Sequence, residues 1–96
     1  MDKVRLLEKD FVEGGRDVAV KCWFTANGKP TPLMFKVMED ADIFTVNNIE
    51  VLETANREEY STMFWKYRCR ALMHGGRKVE FFLIFHSKWC RWKLYM

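Results

Sequence analysis

The stretch "WKYRCRALM" constrains the fold more than any other part of the chain. Trp65, Tyr67, Cys69 and Ala71 alternate with Lys66, Arg68 and Arg70, and a period of two sends successive side chains to opposite faces of an extended strand. Such a strand has one face to hide and one to keep wet. It belongs to an antiparallel sheet that rests one side on a core.

The same pattern, interrupted by turn residues, runs through most of the chain. "DVAVKCWFT" sets Val18, Val20, Cys22 and Phe24 on one side, and "ANGK" follows, where Asn27-Gly28 is a strong hairpin signal. "PLMFKVM" sets Leu33, Phe35 and Val37 on one face, entered through "KPTP". "EDAD" reads as a polar turn. "IFTVNNIEVLE" alternates through Phe44 and Val46, meets Asn47-Asn48, and resumes at Ile49 and Val51 in the opposite phase, as at a β-bulge or strand bend. "TANREEYS" reads as the longest polar connection, and "HGGR" as a tight hairpin turn between "TMFWKYRCRALM" and "KVEFFLIF". "HSK" then leads into the closing strand "WCRWKLY". Residues 3–12 fit both helical spacing (Val4, Leu7, Phe11) and alternation (Arg5, Leu7, Lys9, Phe11); a strand turned back by "EGGRD" is the reading adopted.

These segments predict an all-β single domain over residues 1–96: a small, strongly curled antiparallel meander of six or seven short strands, an SH3-like barrel with no long helix. The length of 96 residues, with 49% hydrophobic and 30% charged, suits one globular domain. Most of its eight Phe, four Trp and three Tyr have to be buried. The longest apolar run, "FFLIF", is strand-sized and far short of the ~18 residues of a membrane helix.

An aromatic strand, "NGKPTPLMFKV", an aromatic-x-Val strand ending "NNIEV", "YRCRALMHGGRKVEFFLIF" and a closing Trp-x-Leu together resemble a family of small uncharacterised all-β proteins of bacteria. The shared features are Gly-x-x-x-Pro-Leu near the front and a final Trp-bearing strand, over roughly residues 18–96. The resemblance implies a strongly bent, SH3-like barrel. It lends no activity and no catalytic residue.

Chemistry is sparse in the sequence. Cys22, Cys69, Cys90, His74 and His86 include no Cys-x-x-Cys and no paired histidines, so neither a metal nor another cofactor is expected. The three thiols fall on apolar strand phases, where cysteine acts as a small buried hydrophobe, and no Cys/His nucleophilic pair is built on them. Glu39, Asp40 and Asp42, and Glu58 and Glu59, sit in turn-like segments. The protein is therefore read as non-enzymatic. Three unspaced cysteines and an N-terminus without a signal-peptide pattern suit a reducing cytoplasm.

Two surfaces carry functional expectations. "VEFFLIF" puts Phe82 and Ile84 on one face and Val79, Phe81, Leu83 and Phe85 on the other, and a small sheet has only one inside. Phe82 and Ile84 are either covered by the N-terminal residues 3–12 or offered to a partner; they are taken as the expected partner interface, a homodimer being the simplest cover and another protein partner the alternative. Charge supplies the alternative. Residues 1–56 hold seven Lys/Arg against ten Asp/Glu, whereas 57–96 hold nine against three. Lys66, Arg68 and Arg70, with Trp89, Arg91, Lys93 and Tyr95 on one phase of the last strand, read first as the solvated face of a sheet, cation stems lying over Trp89 and Tyr95, and alternatively as a basic and aromatic face of the kind that binds single-stranded nucleic acid. Cys90, Trp92 and Leu94, on the other phase, are expected to close the core.

Overall fold

The computed structural model describes residues 15–59, 62–73 and 75–96. Seven strands account for most of them: β1 (Arg16–Phe24), β2 (Pro30–Glu39), β3 (Asp42–Val46), β4 (Glu50–Glu59), β5 (Thr62–Met73), β6 (Arg77–His86) and β7 (Arg91–Tyr95). All pairings are antiparallel, and the sheet order is β3-β2-β1-β7-β6-β5-β4. No described residue lies in a helix, so none is in one long and apolar enough to cross a membrane. The strand expected over residues 3–12 lies outside the described residues.

The expected all-β, antiparallel, helix-free architecture is present, but the chain is not a simple meander. Arg16–Val18 pairs with β7, while Ala19–Phe24 pairs with β2, so β1 joins two halves of the sheet. The segment read as one bent strand through Asn47-Asn48 is instead two strands at opposite edges of the sheet. Asn48 adopts a left-handed φ of 55°, a conformation asparagine tolerates better than most residues. Only Asn47, Asn48 and Ile49 connect β3 to β4, which tethers the two edges within about 14 Å at that corner. Among the described residues no ladder joins β3 to β4, so the pairing leaves the sheet open.

The turns follow local chemistry. Asn27-Gly28 lies in a three-residue loop, with the Gly28 amide donating to the Thr25 carbonyl at 2.8 Å and the Lys29 amide to the Thr25 hydroxyl at 3.0 Å. Gly28 carries the positive φ of 87° that this loop needs. Asp40-Ala41 links β2 to β3 as a two-residue turn in which both residues have positive φ. The polar stretch "TANREEYS" is the largest departure from the sequence reading. Residues through Glu59 form β4, paired with β5 from Glu50↔Arg70 to Glu59↔Thr62. An edge strand needs no apolar face of its own when its neighbour supplies opposite charge.

Two register shifts move side chains between faces. The pairing of β1 with β2 slips between Lys21 and Cys22, leaving Leu33 as the extra residue. One added residue reverses the phase upstream of it. Pro30 and Pro32 therefore take the buried positions, and Leu33, expected beside Phe35 and Val37, is exposed. The second slip leaves Leu52 extra on β4.

The main core lies on one side of the bent sheet, among Phe35, Val37 and Val46 from β2 and β3, Tyr67, Cys69 and Ala71 from β5, Phe81, Leu83 and Phe85 from β6, and Trp92 and Leu94 from β7. The Phe35 and Phe81 rings meet edge-to-face at 5.4 Å, and Phe85 lies 5.0 Å from Trp92. The expected roles of Trp92 and Leu94 as core residues hold. Cys90 does not join them. It sits exposed in the β6–β7 turn with φ of 56°, its amide bonded to the His86 carbonyl at 2.8 Å. Cys69 is buried and Cys22 half-buried.

Candidate functional site

The face opposite the core is built by β4, β5, β6, β7 and the start of β1. Pairing sets its rows: Glu53↔Arg68↔Phe82↔Tyr95, and Ala55↔Lys66↔Ile84↔Lys93↔Asp17. The basic residues expected on this face are there, and carboxylates from distant segments meet most of them. Arg68 reaches Glu53 at 2.7 Å and Glu80 at 3.0 Å. Those two hydrogen bonds, Glu53 first, raise its already high pKa. Arg70 pairs with Glu50 at 3.1 Å. Asp17 accepts from both Lys93 and Arg91 at 2.8 Å, and the Lys93 hydrogen bond foremost holds its carboxyl below the usual range. Lys66 rests over the Phe82 ring, 4.6 Å from its centroid. Burial, then the neighbouring Arg57, lowers its pKa.

The aromatic members of the expected nucleic-acid face are packed as well. Trp89 lies in the β6–β7 turn, stacked on the buried His86 ring at 4.0 Å and 8°. His86 in turn meets the edge of Phe64 at 4.7 Å. Trp89 and Tyr95 both pack on a second apolar cluster made by Phe64 and Ile84. The backbone of Gly15 crosses directly over Tyr95, where a Cβ would stand 2.6 Å from the ring. Only a residue without a side chain permits that approach.

This second cluster also places the expected partner interface. Ile84 is 3% exposed and Phe82 is half-buried beneath Lys66. Ile84 is therefore not an exposed anchor in the folded chain. Lys93, expected as a surface cation, is 6% exposed. A lysine sinks in this way when its stem packs on apolar neighbours and its ammonium meets a carboxylate.

Exposed apolar side chains lie elsewhere. Met38 and Ile43 face each other across β2 and β3, 66% and 63% exposed. Trp23 and Phe24, at the end of β1, are also exposed, although Phe24 touches Phe85 edge-on at 6.2 Å. Sequence reasoning missed Met38 and Ile43 because both sit on the solvent phase of their strands. The available signal was an apolar residue at an outward position on each side of "EDAD". Of the residues weighed for metal or thiol chemistry, His86 packs against Phe64 and Trp89 and His74 lies outside the described residues. No protein-family model, curated protein or solved structure matches the chain.

Proposed function

We propose that this protein is a non-enzymatic protein-interaction module whose partner is a second copy of itself, paired along β3. One observation carries the reading: the Met38–Ile43 cross-strand pair is exposed on a terminal strand of the sheet. The two edges differ in chemistry. β4 carries Glu50, Glu53, Arg57 and Glu58, the charged composition that discourages edge-to-edge pairing. β3 reads Asp-Ile-Phe-Thr-Val, with neither lysine nor proline to protect it. An antiparallel pairing of β3 with its own copy is isologous, extends the ladder with main-chain hydrogen bonds, and gives the exposed Ile43 of each chain a cross-strand neighbour, with Met38 one strand behind it. It also sets the acidic turn of one copy, with Glu39, Asp40 and Asp42, toward the far end of the other β3. A groove there is lined by the Arg70–Glu50 ion pair and by Lys78, so its one surplus positive charge favours the antiparallel arrangement.

The architecture that accompanies this reading is an SH3-like barrel left unzipped between β3 and β4, supported by the three-residue link between those edges and by the sharing of β1. Three free thiols suit a reducing cytoplasm. Sedimentation equilibrium tests the assignment: a dimer is expected for the native chain and a monomer for Ile43→Lys, with unchanged circular dichroism. A monomeric native chain at high concentration, or a dimer that survives both Ile43→Lys and Met38→Lys, rejects it.

A further inference from the structure

The open side of the sheet leaves a cavity of about 390 Å³ between β2–β3 and β5–β6, running from solvent to the core. Its apolar wall includes Phe35, Val37, Val46, Met73, Val79 and Leu94, with Phe44, Thr45 and Met96 also lining it. Four of these, Phe35, Val37, Val46 and Leu94, are core residues exposed by 7% or less. The recess therefore reaches the packed centre. Its size lies within the range of small-molecule sites, which favour the mouths of curved sheets. Met73 adds a wall that can adapt its shape.

The rim is polar and mostly cationic. Arg16 and Glu39 form an ion pair at 3.3 Å across one side. Arg77, at the start of β6, stands at the same mouth, and it has no ion-pair partner among the described residues. One positive charge is thus left over where the cavity meets water.

We propose that this cavity is a binding site for a monomeric medium-chain carboxylate, its hydrocarbon tail in the recess and its carboxylate on Arg77. The depth of the cavity selects the tail. The inner strands β2, β5 and β6 spend their backbone donors and acceptors on ladders to both sides, and Phe35, Val37, Val46, Val79 and Leu94 are apolar; the polar Thr45 and the free edge of β3 belong to the open side. A nucleobase, sugar or peptide would leave polar atoms unpaired there, at a cost that a hydrocarbon avoids. The rim selects the head. Guanidinium is the side chain best matched to a carboxylate, which it can bind through two parallel hydrogen bonds. The cavity is lined by Phe44, Thr45 and Val46 of the strand proposed to pair, but not by Met38 or Ile43, so the Ile43→Lys chain tests binding apart from self-association.

Titration calorimetry with decanoate, kept below its micellar concentration at neutral pH, tests the proposal on the full chain. Saturation at one site per chain is expected. Binding should weaken by about tenfold or more, equivalent to about 1.4 kcal/mol, in Arg77→Glu, and by a similar factor when decanol replaces decanoate. Arg77 is at a strand end beside a turn, so its replacement leaves the core intact, as circular dichroism would verify. Methyl resonances of Val37, Val79 and Leu94 should shift on binding, in the native chain and in Ile43→Lys alike. The proposal is overturned if decanoate does not saturate, if Arg77→Glu binds it as tightly as the native chain, if the shifts centre on Trp23 and Phe24, or if binding occurs only to anionic vesicles.

Discussion

Tyr67 on β5 donates its phenolic hydrogen to the carbonyl oxygen of Pro30 on β2. Those strands are four places apart in the sheet, a separation of roughly 19 Å if the sheet were flat. A tyrosine cannot span that distance, so the bond exists only because the sheet bends over its core. Both residues are fully buried. Tyr67→Phe keeps the ring and strands the Pro30 carbonyl without its partner, at an expected cost of about 1–3 kcal/mol. Urea denaturation should show a lower midpoint with an unchanged slope. A variant as stable as the native chain would mean that packing alone holds the bend.

Stability should also fall at alkaline pH. Burial pushes the Cys69 thiol up to about 12 from its usual 9, and burial, then the nearby Cys22 and Cys69 thiols, raises Tyr67 above its ordinary 10. In this range the folded state keeps protons that the unfolded chain releases. The contribution is complete below about pH 9 and is lost as pH climbs toward 12, by about 1.4 kcal/mol per pH unit for each such group. Melting temperatures measured from pH 8 to pH 11 should decline, and Cys69→Ala should flatten the decline even though it lowers the starting value.

The three thiols should react in the order Cys90, Cys22, Cys69. Cys90 is exposed in its turn, Cys22 is half-buried, and Cys69 is sealed in the core. Burial, with Cys90 close by, raises the Cys22 pKa, which further reduces its thiolate at neutral pH. A chromogenic disulfide reagent should therefore label one cysteine promptly in the native protein and all three in denaturant. Prompt labelling of Cys69 would show that the core opens far more readily than its packing suggests.

The basic face should not bind single-stranded nucleic acid in the native chain. Glu53 and Glu80 hold Arg68, Glu50 holds Arg70, and Asp17 holds Arg91 and Lys93, so few cations are left to release counterions from a phosphate backbone. Fluorescence anisotropy with a labelled oligonucleotide at low ionic strength should show no salt-sensitive binding. Removing the carboxylates in a Glu53→Gln, Glu80→Gln variant should create weak, salt-sensitive binding. Tight binding by the native chain would restore the nucleic-acid reading.

Much of the fold was legible in the sequence because a strand's side-chain period is a local property. Alternation placed Tyr67, Cys69 and Ala71 inward and Lys66, Arg68 and Arg70 outward, and it assigned Phe35, Val37, Trp92 and Leu94 to the core. Glycine at positions 28, 75 and 76 marked turns, since positive φ is cheap only there. Which strands become neighbours is not local. The pairing of β1 with β7 and the parting of β3 from β4 bring together residues as distant as Asp17 and Arg91, 74 positions apart. The ion pairs that neutralise the basic face arise from that long-range pairing, and no count of charges along the chain contains them. The bulge at Leu33 likewise reversed a face that alternation had assigned, because register is decided by what lies across the ladder. The sequence by itself determined which residues can be strand, turn and core. The tertiary structure alone decided which cations are already engaged, which edge stays bare, and where the bent sheet leaves a cavity.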